Sequence, residues 1–451
     1  MENRRGVDLT QGDILKKLLV VALPIMGTQL MQMAYNLVDM FFLGRVGADA
    51  VAASGTAGMY MWLAAGPMLV GRMGAEIGVA QFFGRGNMEE AKDFARCAVR
   101  IALALGLALG AFLALLNRPL IGFFGIQEQN VAQDAQRYLI TVSIGVPCTY
   151  VTAAIVGAFN ASGNSRLPFI VNSAGLVMNM VLDPVFIFAL GQGVTGAAVA
   201  TVLSQCAVTA MMLFAFKRTR GRPFEQIRLS GRVYMRHVKM MLRWSVPVAL
   251  ESVFFTSMSI ITSSFVSAYG AGALAVTKVG SQIESLSWLV GGGYGSAVTA
   301  FVGQNYGASQ RARIDRCVRI SMGVMTVWGL IITAVLCFAG GALFLLFLPD
   351  ASLLTMAVDY LRIMAVCQVI MCLEGVATGT FRGCGQTHQP AVASVASNVL
   401  RVGFAWWLGQ TPLGVNGVFW GITLSTIVRG VWILAWYYRV RDKIEPQAQG
   451  Q

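Results

Sequence analysis

Charge is what this sequence lacks most. Asp, Glu, Lys and Arg make up 12% of its 451 residues, about half of the roughly 25% that hydrates the surface of a soluble domain. That shortage excludes an ordinary globular enzyme and implies a surface facing lipid. Histidine is nearly missing, with two in the chain. Both, His237 and His388, are expected in cytoplasmic loops, so a proton relay built on imidazole is not expected and proton coupling falls to buried carboxylates. Eight cysteines are present, but Cys97, Cys148, Cys206, Cys317, Cys337, Cys367, Cys372 and Cys384 form no CxxC or Cys/His metal spacing. They read as small apolar packing residues in or beside hydrophobic runs. No Walker A motif, Gly-rich dinucleotide fingerprint or metal-ligand cluster occurs, and the polar stretches are too short to hold a catalytic domain. An enzyme is therefore not expected, and neither is a cofactor.

Apolar residues fill the space that charge leaves. They amount to 56% of the chain, and the mean hydropathy is +0.64. A helix needs about 20 mostly apolar residues to cross the hydrocarbon core. By that measure twelve spans are expected, at 18–43, 51–82, 94–116, 138–159, 167–190 and 194–216, then at 240–269, 283–302, 318–347, 361–381, 391–408 and 415–438. Gly, Pro and charge clusters at 84–93, 160–166, 217–239, 304–316 and 382–390 separate them. Residues 1–17 are polar and the run after them is too long for a signal-peptide core, so no cleavable signal is expected. The fold class is thus all-α integral membrane.

A net charge of +13 would suggest nucleic acid in a soluble protein, and its placement argues otherwise. With twelve spans, one side collects Arg4, Arg5, Lys16 and Lys17, then Arg85, Lys92, Arg96 and Arg100. The same side holds Lys217, Arg218, Arg220, Arg222, Arg228, Arg232, Arg236, Lys239 and Arg243, then Arg311, Arg313, Arg316 and Arg319, and finally Arg439, Arg441 and Lys443. The opposite loops carry chiefly Arg45, Arg118, Arg137 and Lys278. By the positive-inside rule both termini are expected in the cytoplasm, in a multi-pass protein of the cytoplasmic (inner) membrane. The partners are then the lipid bilayer and a transported solute, with no nucleic acid, and a monomer is expected.

The halves repeat. Leu23-Pro24-Ile25 returns as Val246-Pro247-Val248, and the stretch 80–84 as 303–307, both at an offset of 223. The stretch 96–101 returns at 316–320, 157–163 at 379–385 with Pro168 and Pro390 following, and 193–196 at 414–417. Five matches in one order make an internal repeat. Six spans return the chain to its starting side, so the halves share an orientation and are expected as two six-helix bundles related by a pseudo-two-fold axis along the membrane normal. The expected division is an N-lobe at 1–216, a basic linker at 217–239 and a C-lobe at 240–451. Two like bundles suit alternating access.

An ionisable group at mid-bilayer costs about 2.5–3.5 kcal/mol on insertion scales, so each requires a reason. Asp39 follows Tyr35 by one turn, and Asp183 follows Asn179 by one turn just before Pro184. Two acids, an amide and a carbonyl freed by the proline make a plausible holder for a proton or Na⁺; the alternative is that each acid lies near the headgroups and snorkels. In the second half, Glu251 and Glu374 lie deep in spans, while Glu284 with Gln282 opens span eight, where a solvated helix end is an equal reading. The repeat pairs Asp39 with Thr262 and Asp183 with Ala405, so the halves are chemically unequal. Arg72 and Glu76, four apart, are expected as a structural ion pair. Arg401 is a lone base for which a carboxylate facing the bundle is expected.

These residues carry a resemblance. The segments 9–14, 23–25 and 35–47, continued by 81–86, 179–184, 282–284, 302–307 and 379–385, are similar to the multidrug and toxic compound extrusion (MATE) family along nearly the whole chain. The resemblance implies a twelve-helix, two-lobed antiporter that exports cationic or amphipathic compounds against inward H⁺ or Na⁺. In the DinF-like branch it implies a cation site at Asp39, Asn179, Asp183 and Thr201, with Na⁺ a candidate ion at the first three. In the NorM-like and eukaryotic branches it points to Glu251. Carrying both sets is a mixed pattern, with the DinF-like set more complete. Tyr35, Glu251, Gln282, Glu284 and Glu374 form a candidate substrate or second coupling site. The alternative is a flippase of lipid-linked oligosaccharide or another lipid from the same superfamily, which usually needs a cationic cavity where this sequence places acids.

Overall fold

The protein is described here by a computed structural model, which describes residues 7–126, 128–218, 231, 233–348 and 350–443. Arg4, Arg5, Arg220, Arg222, Arg228, Arg232 and most of the basic linker lie outside the described residues. Within them every regular element is helical. The first half runs α1 (Ile14–Val46), α2 (Ala48–Gly84), α3 (Met88–Leu115), α4 (Asn117–Gly122), α5 (Gln129–Ala161), α6 (Arg166–Pro184) and α7 (Gly193–Arg218). The second runs α8 (Met235–Ser267), α9 (Ala271–Gly307), α10 (Arg311–Phe338), α11 (Gly340–Phe347), α12 (Leu354–Ala365), α13 (Gln368–Gly383), α14 (His388–Gly409) and α15 (Val415–Val440).

Each of the twelve expected spans coincides with a helix or a consecutive helix pair. Nine described helices are long and apolar enough to cross a membrane, and the pair α12–α13, bent by 42°, makes a tenth if taken as one span. The other two, α2 and α9, are the longest at 37 residues each. Their apolar windows are diluted by Arg72 and Glu76 in one and by Glu284 and the Gly291-Gly292-Gly293 run in the other. Large apolar side chains stand outward, with Leu115 80%, Phe338 91% and Leu346 78% exposed, an arrangement water would penalise and lipid accepts.

The chain divides into two compact units: Met1–Leu9 with Leu23–Ala249, and Thr10–Ala22 with Leu250–Gln451. The expected boundary was the basic linker. The division instead passes through α1 just before Pro24 and through α8 just after Pro247, the two repeat-equivalent prolines. A proline inside a helix removes one hydrogen bond of the ladder, so each helix changes unit where its own backbone bonding is weakest.

In the N-terminal unit α2, α3, α5 and α7 enclose a core around Phe94, Tyr150, Phe159 and Phe216. In the C-terminal unit Tyr360, Leu361, Phe344 and Phe419 do the same. Helices in lipid gain little from excluding water and associate through close packing of small residues. The repeat is visible in that packing. A Cβ on Gly157 would lie 2.4 Å from the Arg72 carbonyl oxygen, and one on Gly379 would lie 2.5 Å from that of Gly295. Likewise a Cβ on Gly106 or on Gly329 would lie 2.7 Å from the Cα of Pro147 or of Val369.

Three expectations are corrected by the fold. α9 starts at Ala271, more than three turns before Glu284, so that residue lies within the helix and not at its solvated start. His237 is in α8, 3% exposed, and not in a loop: its Nε2 meets Glu90 Oε2 at 2.5 Å and its ring packs on Phe82, Phe94 and Tyr234. His388 opens α14. Arg72 and Glu76 both lie within α2, Glu76 fully buried and Arg72 half-buried.

Candidate functional site

The N-terminal unit brings its acids together from two helices. Tyr35 and Asp39 occupy one face of α1, one turn apart, and Asn179 and Asp183 occupy one face of α6 at the same spacing. Pro184 closes α6, and a π-helical turn, Val185–Ala189, follows it. Such turns recur at functional sites because they leave the regular hydrogen-bond ladder. Asn179 and Asp183 are both 0% exposed. The Asn179 Nδ2 group donates to Asp183 Oδ1 at 3.1 Å. From α7, Thr201 Oγ1 accepts a hydrogen bond from the Tyr35 hydroxyl at 2.9 Å. The two pairs are joined electrostatically: Asp39 acts on Asp183, and both acids act on Tyr35.

Three oxygens of this cluster, Asp39 Oδ1, Asn179 Oδ1 and Asp183 Oδ2, are buried and make no hydrogen bond among the described residues. Buried polar atoms are nearly always paired, and an unpaired one calls for a reason. Two carboxylate oxygens and an amide oxygen are hard donors of the kind that hold a proton or an alkali cation, and no soft ligand is among them. Of the expected cation set, all four members lie here. Tyr35, expected with the second set, belongs with this one. Sequence reading missed Tyr138 on α5, which is buried and within electrostatic reach of Asp39, Tyr35 and Asp183. Its place at the start of an apolar span hid it among residues that merely pack.

The second set is distributed differently. In the C-terminal unit Glu251 accepts from Arg382 Nη2 at 3.1 Å, and Glu374 binds Arg429 through Nη2 at 2.8 Å and Nε at 2.9 Å. Glu284 accepts longer hydrogen bonds from Tyr360 at 3.5 Å and Gln368 at 3.4 Å. Gln282 is one turn before Leu286 on α9, and its backbone carbonyl accepts from Ser285. The carboxylate expected beside Arg401 is not its bonding partner. Arg401 Nε donates to Ser425 at 3.2 Å, and its guanidinium lies over the Phe255 ring at 5.3 Å. Arg429 and Arg382 were not singled out from the sequence. Their significance rests on which carboxylate each reaches across the bundle, and spacing along the chain carries no such information.

The two units therefore differ in chemistry. The N-terminal cluster holds two carboxylates with unsatisfied oxygens. The C-terminal interior holds three acids and three arginines, with two of each already bound to one another.

The family model MatE matches the chain twice, at residues 24–185 and 247–407, once in each half of the repeat. The probable multidrug resistance protein NorM of Thermotoga maritima is 26% identical over 428 residues, covering 92% of this chain and 90% of that protein. The probable multidrug resistance protein YoeA of Bacillus subtilis is 26% identical over 432 residues, covering 93% and 92%. Among solved structures, a MOP superfamily transporter from Pyrococcus furiosus superimposes with a TM-score of 0.92 at 22% identity, covering 98% of this chain and 99% of that one; at that identity the likeness speaks for the fold.

Proposed function

The chain belongs to the MatE family, a family of membrane transporters and not of enzymes, and on that premise we propose that it is a cation-coupled antiporter exporting cationic or amphipathic compounds. Asp39, Asn179, Asp183 and Thr201 hold the coupling cation, H⁺ or Na⁺, and Tyr35 and Tyr138 complete the walls of that site. The observation that carries this reading is the set of three buried oxygens, on two acids and an amide, that make no hydrogen bond among the described residues. Asp39, Asn179, Asp183 and Thr201 favour the DinF-like branch in this reading, and the pairing of Glu251 and Glu374 with arginines argues against a second coupling site of the NorM-like kind.

The chemistry follows from charge. Two carboxylates without a cation are costly in a low-dielectric interior, and one bound cation relieves that cost. Cation binding in the N-terminal unit and drug binding then compete for one acidic cluster or favour opposite conformations, which is the linkage an antiporter requires. With the inside negative, each entering positive charge contributes about 2.3 kcal/mol per 100 mV, about a 50-fold concentration ratio for the exported compound. The clustering of Lys and Arg in alternate loops supports cytoplasmic termini by the positive-inside rule, with export directed away from that side.

Asp39→Asn and Asp183→Asn keep size and hydrogen bonding while removing the charge. Each is expected to reduce ethidium efflux from cells or everted vesicles to below about a tenth of wild type, the scale of losing one charge-assisted contact, at unchanged membrane expression. Full export by both variants would remove this cluster from the mechanism.

A further inference from the structure

The repeat allows the N-terminal site to be read position by position in the C-terminal unit. The register that sets Asp183 against Ala405 also sets Asn179 against Arg401 and Tyr138 against Tyr360, the match of 193–196 with 414–417 sets Thr201 against Ile422, and Asp39 corresponds to Thr262. The tyrosine is kept, the threonine and both acids are lost and the amide is replaced by a guanidinium. At these equivalent positions the formal charge goes from −2 to +1. Glu284, entering from α9 where the N-terminal unit has Met61, stands against Tyr360 and Gln368 and acts on Arg401 at longer range.

The three arginines of this interior are not equally occupied. Arg429 spends Nε and Nη2 on Glu374, and Arg382 is bound to Glu251. Arg401 is 8% exposed, yet it bonds only through Nε, to the hydroxyl of Ser425. Its two Nη amino groups make no hydrogen bond or ion pair among the described residues. The planar Nη edge is the part of a guanidinium that matches a carboxylate or phosphate with two parallel hydrogen bonds. Ser425 fixes the plane from behind, and Phe255, 41% exposed, offers an aromatic face beside it.

From this we infer that Arg401 is an anion-recognition residue, which takes the carboxylate or phosphate group of a transported amphipathic compound in the C-terminal unit. The inference rests on the exporter reading and narrows its substrate class: zwitterions and amphipathic acids are accepted with cations, the acidic group on Arg401 and the coupling cation in the other unit.

The test is equilibrium binding to the full-length protein in nanodiscs, using norfloxacin, which carries one carboxylate and one basic amine, and its decarboxylated analogue. Wild type is expected to bind the carboxylate form at least about 10-fold tighter, the scale of a hydrogen bond to a charged group. In Arg401→Gln the ratio is expected to fall to about 1, and in Arg401→Lys, which keeps charge and loses the fork, to an intermediate value. If Arg401→Gln does not elute as a folded protein, the Arg401→Lys ratio decides. A wild-type ratio near 1 for both this pair and a phosphate pair, or a ratio unchanged in the variant that folds, overturns the assignment. Repeating the comparison with phenyl phosphate against phenol distinguishes a phosphate from a carboxylate preference, and either preference lost in the variant supports it. Ethidium export by the same preparations tests the exporter reading separately: preference without export overturns that reading and leaves Arg401 assigned.

Discussion

Two side chains, Asp39 and Asp183, carry most of the chemical interest, and both were readable in the sequence because so little charge surrounds them. In a soluble protein an Asp is unremarkable. Here each one within an apolar run stood out, and the i, i+4 spacing to Tyr35 and Asn179 predicted which neighbours would share its face. What the spacing could not supply was contact between helices. The Tyr35 to Thr201 hydrogen bond links residues 166 apart, and Tyr138 and Arg429 matter only through what they approach from other helices. The hydrogen bond from Tyr35 has a measurable consequence. Tyr35→Phe removes one hydroxyl and leaves Thr201 without that donor, at a cost of about 1 kcal/mol. The concentration of coupling cation giving half-maximal efflux is expected to rise about 5-fold, with maximal rate nearly kept. An unchanged half-maximal concentration would place Tyr35 outside the site.

Helices were readable as apolar runs, and their joints were less so. The expected spans coincide with helices because length and hydropathy suffice to place them. The bend of 42° between α12 and α13, the break between α10 and α11 and the extra turns of α9 before Glu284 depend on packing against neighbours. His237 was misplaced for the same reason: polar residues around it suggested a loop, while Glu90, Phe82 and Phe94 bury it at the start of α8. The repeated glycines, by contrast, were visible in the sequence as matched segments, and the structure gives them a physical task. Gly157 and Gly379 let a neighbouring backbone carbonyl approach to where a methyl group would stand. Gly157→Ala and Gly379→Ala are each expected to lose about 1–3 kcal/mol from forced helix separation. Thermal unfolding in detergent should show a drop of several degrees for both, while Gly403→Ala, where no atom lies within 4 Å of the new Cβ, should hold or gain through helix propensity. Equal melting temperatures in all three would deny these contacts their role.

At the scale of the molecule, the net charge of +13 and the scarcity of charge are one fact seen twice. The positive residues gather at the loop ends that the positive-inside rule assigns to the cytoplasm, and removing them leaves a short set of ionisable groups within the helices. Those groups divide by unit. The N-terminal cluster keeps Asp39 and Asp183, each with a buried oxygen unsatisfied among the described residues, and the C-terminal interior sets Glu251, Glu284 and Glu374 beside Arg382, Arg401 and Arg429. The sequence predicted the inequality from the pairs Asp39 with Thr262 and Asp183 with Ala405, but which arginine met which acid needed the fold. The unit boundaries within α1 and α8, beside Pro24 and Pro247, were likewise invisible to composition, because an apolar helix gives no sign of changing partners midway.

The central claim is that a cation held by Asp39 and Asp183 drives export. The most direct measurement is ethidium transport by the purified protein in liposomes, first under an imposed Na⁺ gradient at matched pH and then under a pH gradient without Na⁺. The account predicts that at least one gradient drives transport by wild type and that neither drives it in the Asp39→Asn/Asp183→Asn double variant. Gradient-driven transport by the double variant at the wild-type rate, or wild-type transport indifferent to both gradients, would contradict it.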